Sequence, residues 1–155
     1  MMTFYHGNKR GTGARLSVEV RKAKPCQRGE AQLAIAPQAD GEGPTGKYLF
    51  NPSEEVYIIM DAVRVAKLVS MLNRDCRDED GYRFIRTKTG DSRTTLYVDP
   101  VTEPFPGFAL HLSRTDEAGE YTLGDERIVI NTSEARALAM ALAASLGDIA
   151  FGEGM

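Results

Sequence analysis

The sequence predicts an α+β domain made of two tandem ββββα repeats, forming two antiparallel sheets with two central helices about a pseudo-twofold axis. Two observations predict it. Alternating apolar residues, the mark of half-buried strands, twice give way to an amphipathic helix opened by a polar cap. The apolar positions of the two halves also match at a shift that falls along the chain from 80 residues to 70. The length of 155 residues suits one domain over 1–155. Repeat one is expected at 14–74 and repeat two at 82–147.

The first strand is Arg15 to Arg21, with Leu16, Val18 and Val20 on one face. Ala31 to Ile35 alternates again, with Leu33 and Ile35 inward. Gln38 to Gly46, with three glycines and Pro44, reads as a loop. Lys47 to Phe50 is a short strand ended by the turn Asn51-Pro52-Ser53, and Glu55 to Met60 is the fourth. Asp61 then caps a helix through Asn73, whose apolar stripe is Ala62, Val65, Ala66, Leu68, Val69 and Leu72. Arg74 to Gly81 is a charged linker.

The order then repeats. Arg83 to Lys88 reads as an extra extended segment between the units. Thr94 to Asp99 turns Leu96 and Val98 inward. Pro100 to Gly107, with three prolines, reads as a connection. Phe108, Leu110 and Leu112 alternate with Ala109, His111 and Ser113. Glu120 to Leu123 and Arg127 to Ile130 complete the strands. Asn131 with Glu134 is a capping-box pattern. The second helix carries Ala135, Leu138, Ala139 and Leu142 and is expected to end near Gly147. Its alanines suit a close helix–helix approach. Leu16 and Val18 match Leu96 and Val98 at a shift of 80, Leu33 and Ile35 match Leu110 and Leu112 at 77, and Tyr48 matches Tyr121 at 73. Asp61 with Asn131, Leu68 with Leu138, and Leu72 with Leu142 all fall at 70.

Composition narrows the function. An apolar fraction of 42% and a charged fraction of 26% exclude disordered, collagen-like and coiled-coil chains. No apolar run reaches the roughly 18–20 residues of a membrane span. The polar, basic N-terminus predicts neither a signal peptide nor an anchor. Cys26 and Cys76 read as free thiols in a reducing cytoplasm, so the Asn131-Thr132-Ser133 sequon is not expected to be used. The net charge of −3 is unevenly spread. Residues 1–28 hold seven Lys/Arg and one acid, net +6, whereas residues 99–155 hold three basic residues and ten acids, net −7. The basic front suits a polyanion.

Catalytic and metal motifs are missing. The acidic run Asp75 to Gly81 fails as a calcium loop, because Cys76 and Thr87 would occupy its first and last ligand positions. Gly11-Thr12-Gly13 precedes a strand, where a dinucleotide fingerprint would follow one. His6, in an N-terminal arm, and His111, between Leu110 and Leu112, read as surface histidines. Paired carboxylates occur only at turns. No catalysis, metal or cofactor is expected.

The strand faces opposite the core are more informative. They carry Arg15, Arg21, Tyr57, Tyr97, His111 and Arg127, with basic and aromatic residues around them. Single strands are held by this mixture, because Arg and Lys neutralise phosphates while rings stack on any base. The candidate nucleic-acid-binding residues are Lys9, Arg10, Arg15, Arg21, Lys22, Lys24, Arg28, Tyr48, Phe50, Tyr57, Arg83, Arg86, Lys88, Arg93 and Tyr97. Tyr97 is the leading base platform, since Leu96 and Val98 on either side of it face the core.

Two ββββα units in one chain resemble the Whirly-type single-stranded-DNA-binding fold and the related transcriptional coactivators. The segments Phe4-Tyr5-His6-Gly7-Asn8-Lys9-Arg10-Gly11-Thr12-Gly13-Ala14 and Ser145-Leu146-Gly147-Asp148-Ile149-Ala150-Phe151-Gly152 are similar to a set of bacterial and phage proteins. The resemblance covers nearly the whole chain and implies a protein that holds single strands on exposed sheet surfaces. The partner expected is single-stranded DNA, bound with little sequence preference in replication, recombination or transcription. RNA is the alternative polymer, and a protein-interaction module using exposed sheet edges is the alternative role. No membrane partner is expected, and a homo-oligomer is left open. The plant Whirly motif Lys-Gly-Lys-Ala-Ala-Leu has no match here.

Overall fold

The computed structural model describes residues 2–7, 13–42, 48–50, 54–73, 84–89, 92–115 and 121–150. Among these residues, nine strands and two helices run in the order β1 (Met2–His6), β2 (Ala14–Arg21), β3 (Glu30–Glu42), β4 (Tyr48–Phe50), β5 (Val56–Met60), α1 (Ala62–Leu72), β6 (Phe84–Thr89), β7 (Ser92–Val101), β8 (Gly107–Thr115), β9 (Tyr121–Asn131) and α2 (Thr132–Ala150). The first sheet is β1-β2-β3, with both β4 and β5 on the far edge of β3. β5 pairs with the Ala31–Ile35 end and β4 with the Gln38–Glu42 end, so the two are halves of one interrupted strand. The second sheet is β6-β7-β8-β9, antiparallel throughout, and β9 is unbroken.

The internal repeat shows in the register. Leu16 faces Ile35 and Val18 faces Leu33 in the first sheet, and Leu96 faces Leu112 and Val98 faces Leu110 in the second. All eight side chains are buried in one apolar cluster shared by both sheets and both helices. Leu68 and Leu138 are fully buried on helices that pack against each other. Both expected caps form. Asp61 Oδ1 accepts from the Arg64 amide at 2.9 Å. Asn131 Oδ1 accepts from the Glu134 amide at 2.8 Å, while Glu134 Oε1 accepts from the Asn131 amide at 3.0 Å.

Several expected boundaries move. Residues 2–6, read as an arm, form β1, which pairs with β2 from Met2 against Val18 to His6 against Ala14. Met2 and Phe4 pack on the core, and His6 Nε2 lies 2.7 Å from Glu134 Oε2, so His6 is tied to α2 and is no lone surface group. The segment read as an extra between the units is β6, the counterpart of β1. β3 continues through Gln38–Glu42, where a loop was expected. Pro100 extends β7, where it lies opposite Phe108 of β8 and beyond the described pairing with β6, which begins at Phe84 opposite Tyr97. The two short strands expected over 120–130 are one strand, β9.

α2 continues past Gly147 to Ala150. A glycine end is not needed, because the β2–β3 hairpin satisfies the last carbonyls. The Ala23 amide donates to the Asp148 carbonyl at 2.9 Å, and the Gly29 amide to the Ile149 carbonyl at 3.2 Å. Gly29 is required for this approach, since a Cβ there would sit 2.6 Å from the Ile149 oxygen. Only Ala135 and Ala139 of the α2 alanines are fully inside. Among the described residues no helix is long and apolar enough to cross a membrane.

Candidate nucleic-acid interface

The expected binding residues separate into three places. Lys22, Lys24 and Arg28 are exposed at the β2–β3 hairpin, whose tip is a tight Pro25–Cys26 turn with Cys26 at φ 65°. Lys9, Arg10 and Arg83 lie outside the described residues. Tyr48 lies in β4, and its side chain is outside the description as well. The others divide between the outer faces of the two sheets.

On the first sheet the cations are matched by acids. The Arg15 guanidinium meets Glu55 Oε2 at 3.1 Å and Arg21 meets Glu30 Oε1 at 3.1 Å, while Glu19 is exposed between them. Arg15 also stands 6.0 Å from the centroid of Phe50, and Tyr5 packs on Phe50 with centroids 5.7 Å apart. Tyr57 has outward parity but is not an open platform. The Arg114 guanidinium lies 4.4 Å over its ring and donates to the Tyr57 carbonyl at 3.1 Å and to Thr94 Oγ1 at 3.2 Å. Arg114 comes from the second sheet, so this stack pins the two sheets together.

The second sheet is different. Its outer face reads in cross-strand rows: Tyr97, His111 and Arg127; Arg86, Thr95 and Ser113; Lys88, Arg93 and Thr115. Tyr97 and His111 stack with centroids 5.5 Å apart and planes 26° from parallel. Arg86, Lys88, Arg93 and Arg127 are exposed, and among the described residues Asp99 is the exposed acid on the same strand parity. Lys88 and Arg93 sit directly opposite each other, an arrangement that costs stability through like-charge repulsion unless an anion intervenes. Among the described residues the face therefore couples an aromatic step to more exposed cations than acids.

Three members of these faces escaped the expected set. His111 and Arg127 complete the Tyr97 row, and their outward parity was the signal for both. Tyr5, 66% exposed, shares the first face with Arg15, and its signal was the short alternation of Met2 to His6. Among the described residues no group of three or more His, Cys, Asp or Glu side chains is placed to hold a metal.

No family model matches the chain, and no curated protein matches it. Solved structures do. The WHY1 protein of Arabidopsis thaliana superposes with a TM-score of 0.71 at 18% identity, over 97% of this chain and 84% of that one. WHY3 of Arabidopsis thaliana gives 0.66 at 20% identity, over 96% and 86%. The plant transcriptional regulator PBF-2 gives 0.68 at 19% identity, over 96% and 80%. These likenesses show a Whirly-like fold.

Proposed function

We propose that this protein binds single-stranded DNA without catalysis and with affinity set mainly by the strand backbone. Its setting is replication, recombination or transcription in the cytoplasm of a bacterium or a phage-infected cell. The observation that carries the reading is the outer face of the second sheet. There the stacked Tyr97–His111 pair offers a ring to a base, while Arg86, Lys88, Arg93 and Arg127 surround it with donors for phosphate oxygens. A phosphate between Lys88 and Arg93 relieves their mutual repulsion, so the face is better satisfied with a strand bound than without. The helices, whose apolar sides are used in the core, leave the sheets as the recognition surfaces. PBF-2, which shares the fold, is by its name a transcriptional regulator, and this supports transcription among the three processes.

Titration of a single-stranded oligonucleotide at several salt concentrations tests the reading. The logarithm of affinity should fall linearly with the logarithm of salt, and replacing Lys88 or Arg93 with Ala should flatten the slope by about 0.7 each. No binding at low salt, or a slope unchanged from that of the wild-type protein in both variants, would overturn the assignment of this face.

A further inference from the structure

We infer that the outer face of the first sheet holds a subsite for a single guanine base of the bound strand. This inference rests on the single-strand reading above and sharpens it. A depression forms because β3 presents Ala34 and Ala36 outward where its neighbours present larger groups. Ala34 stands between Ser17 and Tyr57, and Ala36 lies opposite Arg15. The resulting cavity of about 250 Å³ is lined by Thr3, Tyr5, Arg15, Glu19, Gln32 and Glu55, among others. It is smaller than the roughly 300–1,000 Å³ of sites for drug-sized ligands, a size for one ring system.

The chemistry of the lining selects the ring. The face carries Glu19, Glu30 and Glu55 against Arg15 and Arg21, so it repels phosphate and favours the neutral part of a nucleotide. Tyr5 and Phe50 give it an aromatic wall. Arg15 lines the cavity and spends one hydrogen bond on Glu55, out of the five N–H donors of a guanidinium. Guanine supplies O6 and N7 as adjacent acceptors for a guanidinium and carries an amino group, besides its ring N–H, for a carboxylate. Thymine lacks the amino group, and its two carbonyl oxygens would face the carboxylates. The two sheets therefore divide the work, with phosphates on the second and base choice on the first.

The test compares two 20-residue single strands in lithium buffer, all-thymine and the same strand with guanine at every fourth position. The guanine strand should bind about tenfold tighter, the discrimination of one good bidentate contact, here a carboxylate accepting from the ring N–H and the amino group together. Replacing guanine with hypoxanthine, which removes only the amino group, should erase most of that ratio without touching the protein. Glu55→Gln, checked for an unchanged melting curve, should bring the ratio towards one. Glu19→Gln is the second variant if the first melts early. Equal binding of the two strands by the wild-type protein would overturn the guanine subsite and leave single-strand binding standing. Failure to bind either strand would overturn both.

Discussion

Leu68→Ala should destabilise the fold by an amount in the upper half of about 2–5 kcal/mol, the largest effect expected of a single side chain here. Leu68 is fully buried in the common core on α1, a helix that packs on α2 and on β3 and β5 of the first sheet. Truncation removes apolar area and leaves a void that rigid neighbours fill poorly. Its counterpart Leu138 is equally buried, yet it borders an open cleft of about 440 Å³ between β2 and α2, lined also by Met2, Val18 and Val20. Water and side-chain collapse can reach that void, so Leu138→Ala should cost less, near the lower end of the same range. Each kcal/mol should lower the melting temperature by roughly 2–4 °C in a chain of this size. Thermal unfolding of both variants checks the order. Two equal small losses would show that the helices are not the centre of the core.

Tyr97→Ala carries the largest expected effect on binding. A base stacked on this ring contributes about 1–3 kcal/mol, so affinity for a single strand should fall roughly 5- to 150-fold. The ring also stacks on His111 across the strands, so the variant should lose a further 0.2–1 kcal/mol of stability, about the worth of a cross-strand pair. Tyr97→Phe keeps the ring and should keep most of both. Normal affinity combined with a large drop in melting temperature would make Tyr97 a structural residue. The outer face of the second sheet would then lose its base platform.

Much of this fold is legible in the sequence because it follows from alternation and capping, which are local. The paired positions Leu16/Val18 and Leu96/Val98, the caps at Asp61 and Asn131, and the burial of Leu68 and Leu138 all come from side-chain periodicity. β1 was masked by the charge of the residues that follow it, although Met2 and Phe4 already alternated with Thr3 and Tyr5. The end of α2 was not legible at all. It depends on amides of Ala23 and Gly29, more than a hundred residues away, replacing the glycine cap that the local pattern suggested.

The candidate site was legible only in part, for a related reason. Parity placed Tyr97 and His111 outward, and the structure stacks them. Parity does not reveal partners. The Arg21–Glu30 pair follows from the Pro25–Cys26 turn, since every pair in that hairpin mirrors about it. Arg15–Glu55 and Arg114–Tyr57 join distant segments, and no local pattern announces them. These contacts separate a positive face from a charge-balanced one, a difference hidden when the basic residues are simply counted.

The most direct test is a competition titration in which a labelled single strand is displaced by unlabelled single strand, by duplex of the same sequence, and by the corresponding RNA. Single-stranded DNA should displace the label at much lower concentration than duplex, because rings on an open sheet need unpaired bases and neither helix is free to enter a groove. Duplex competing equally or better would contradict the account, and RNA competing best would move the same surfaces to the other polymer.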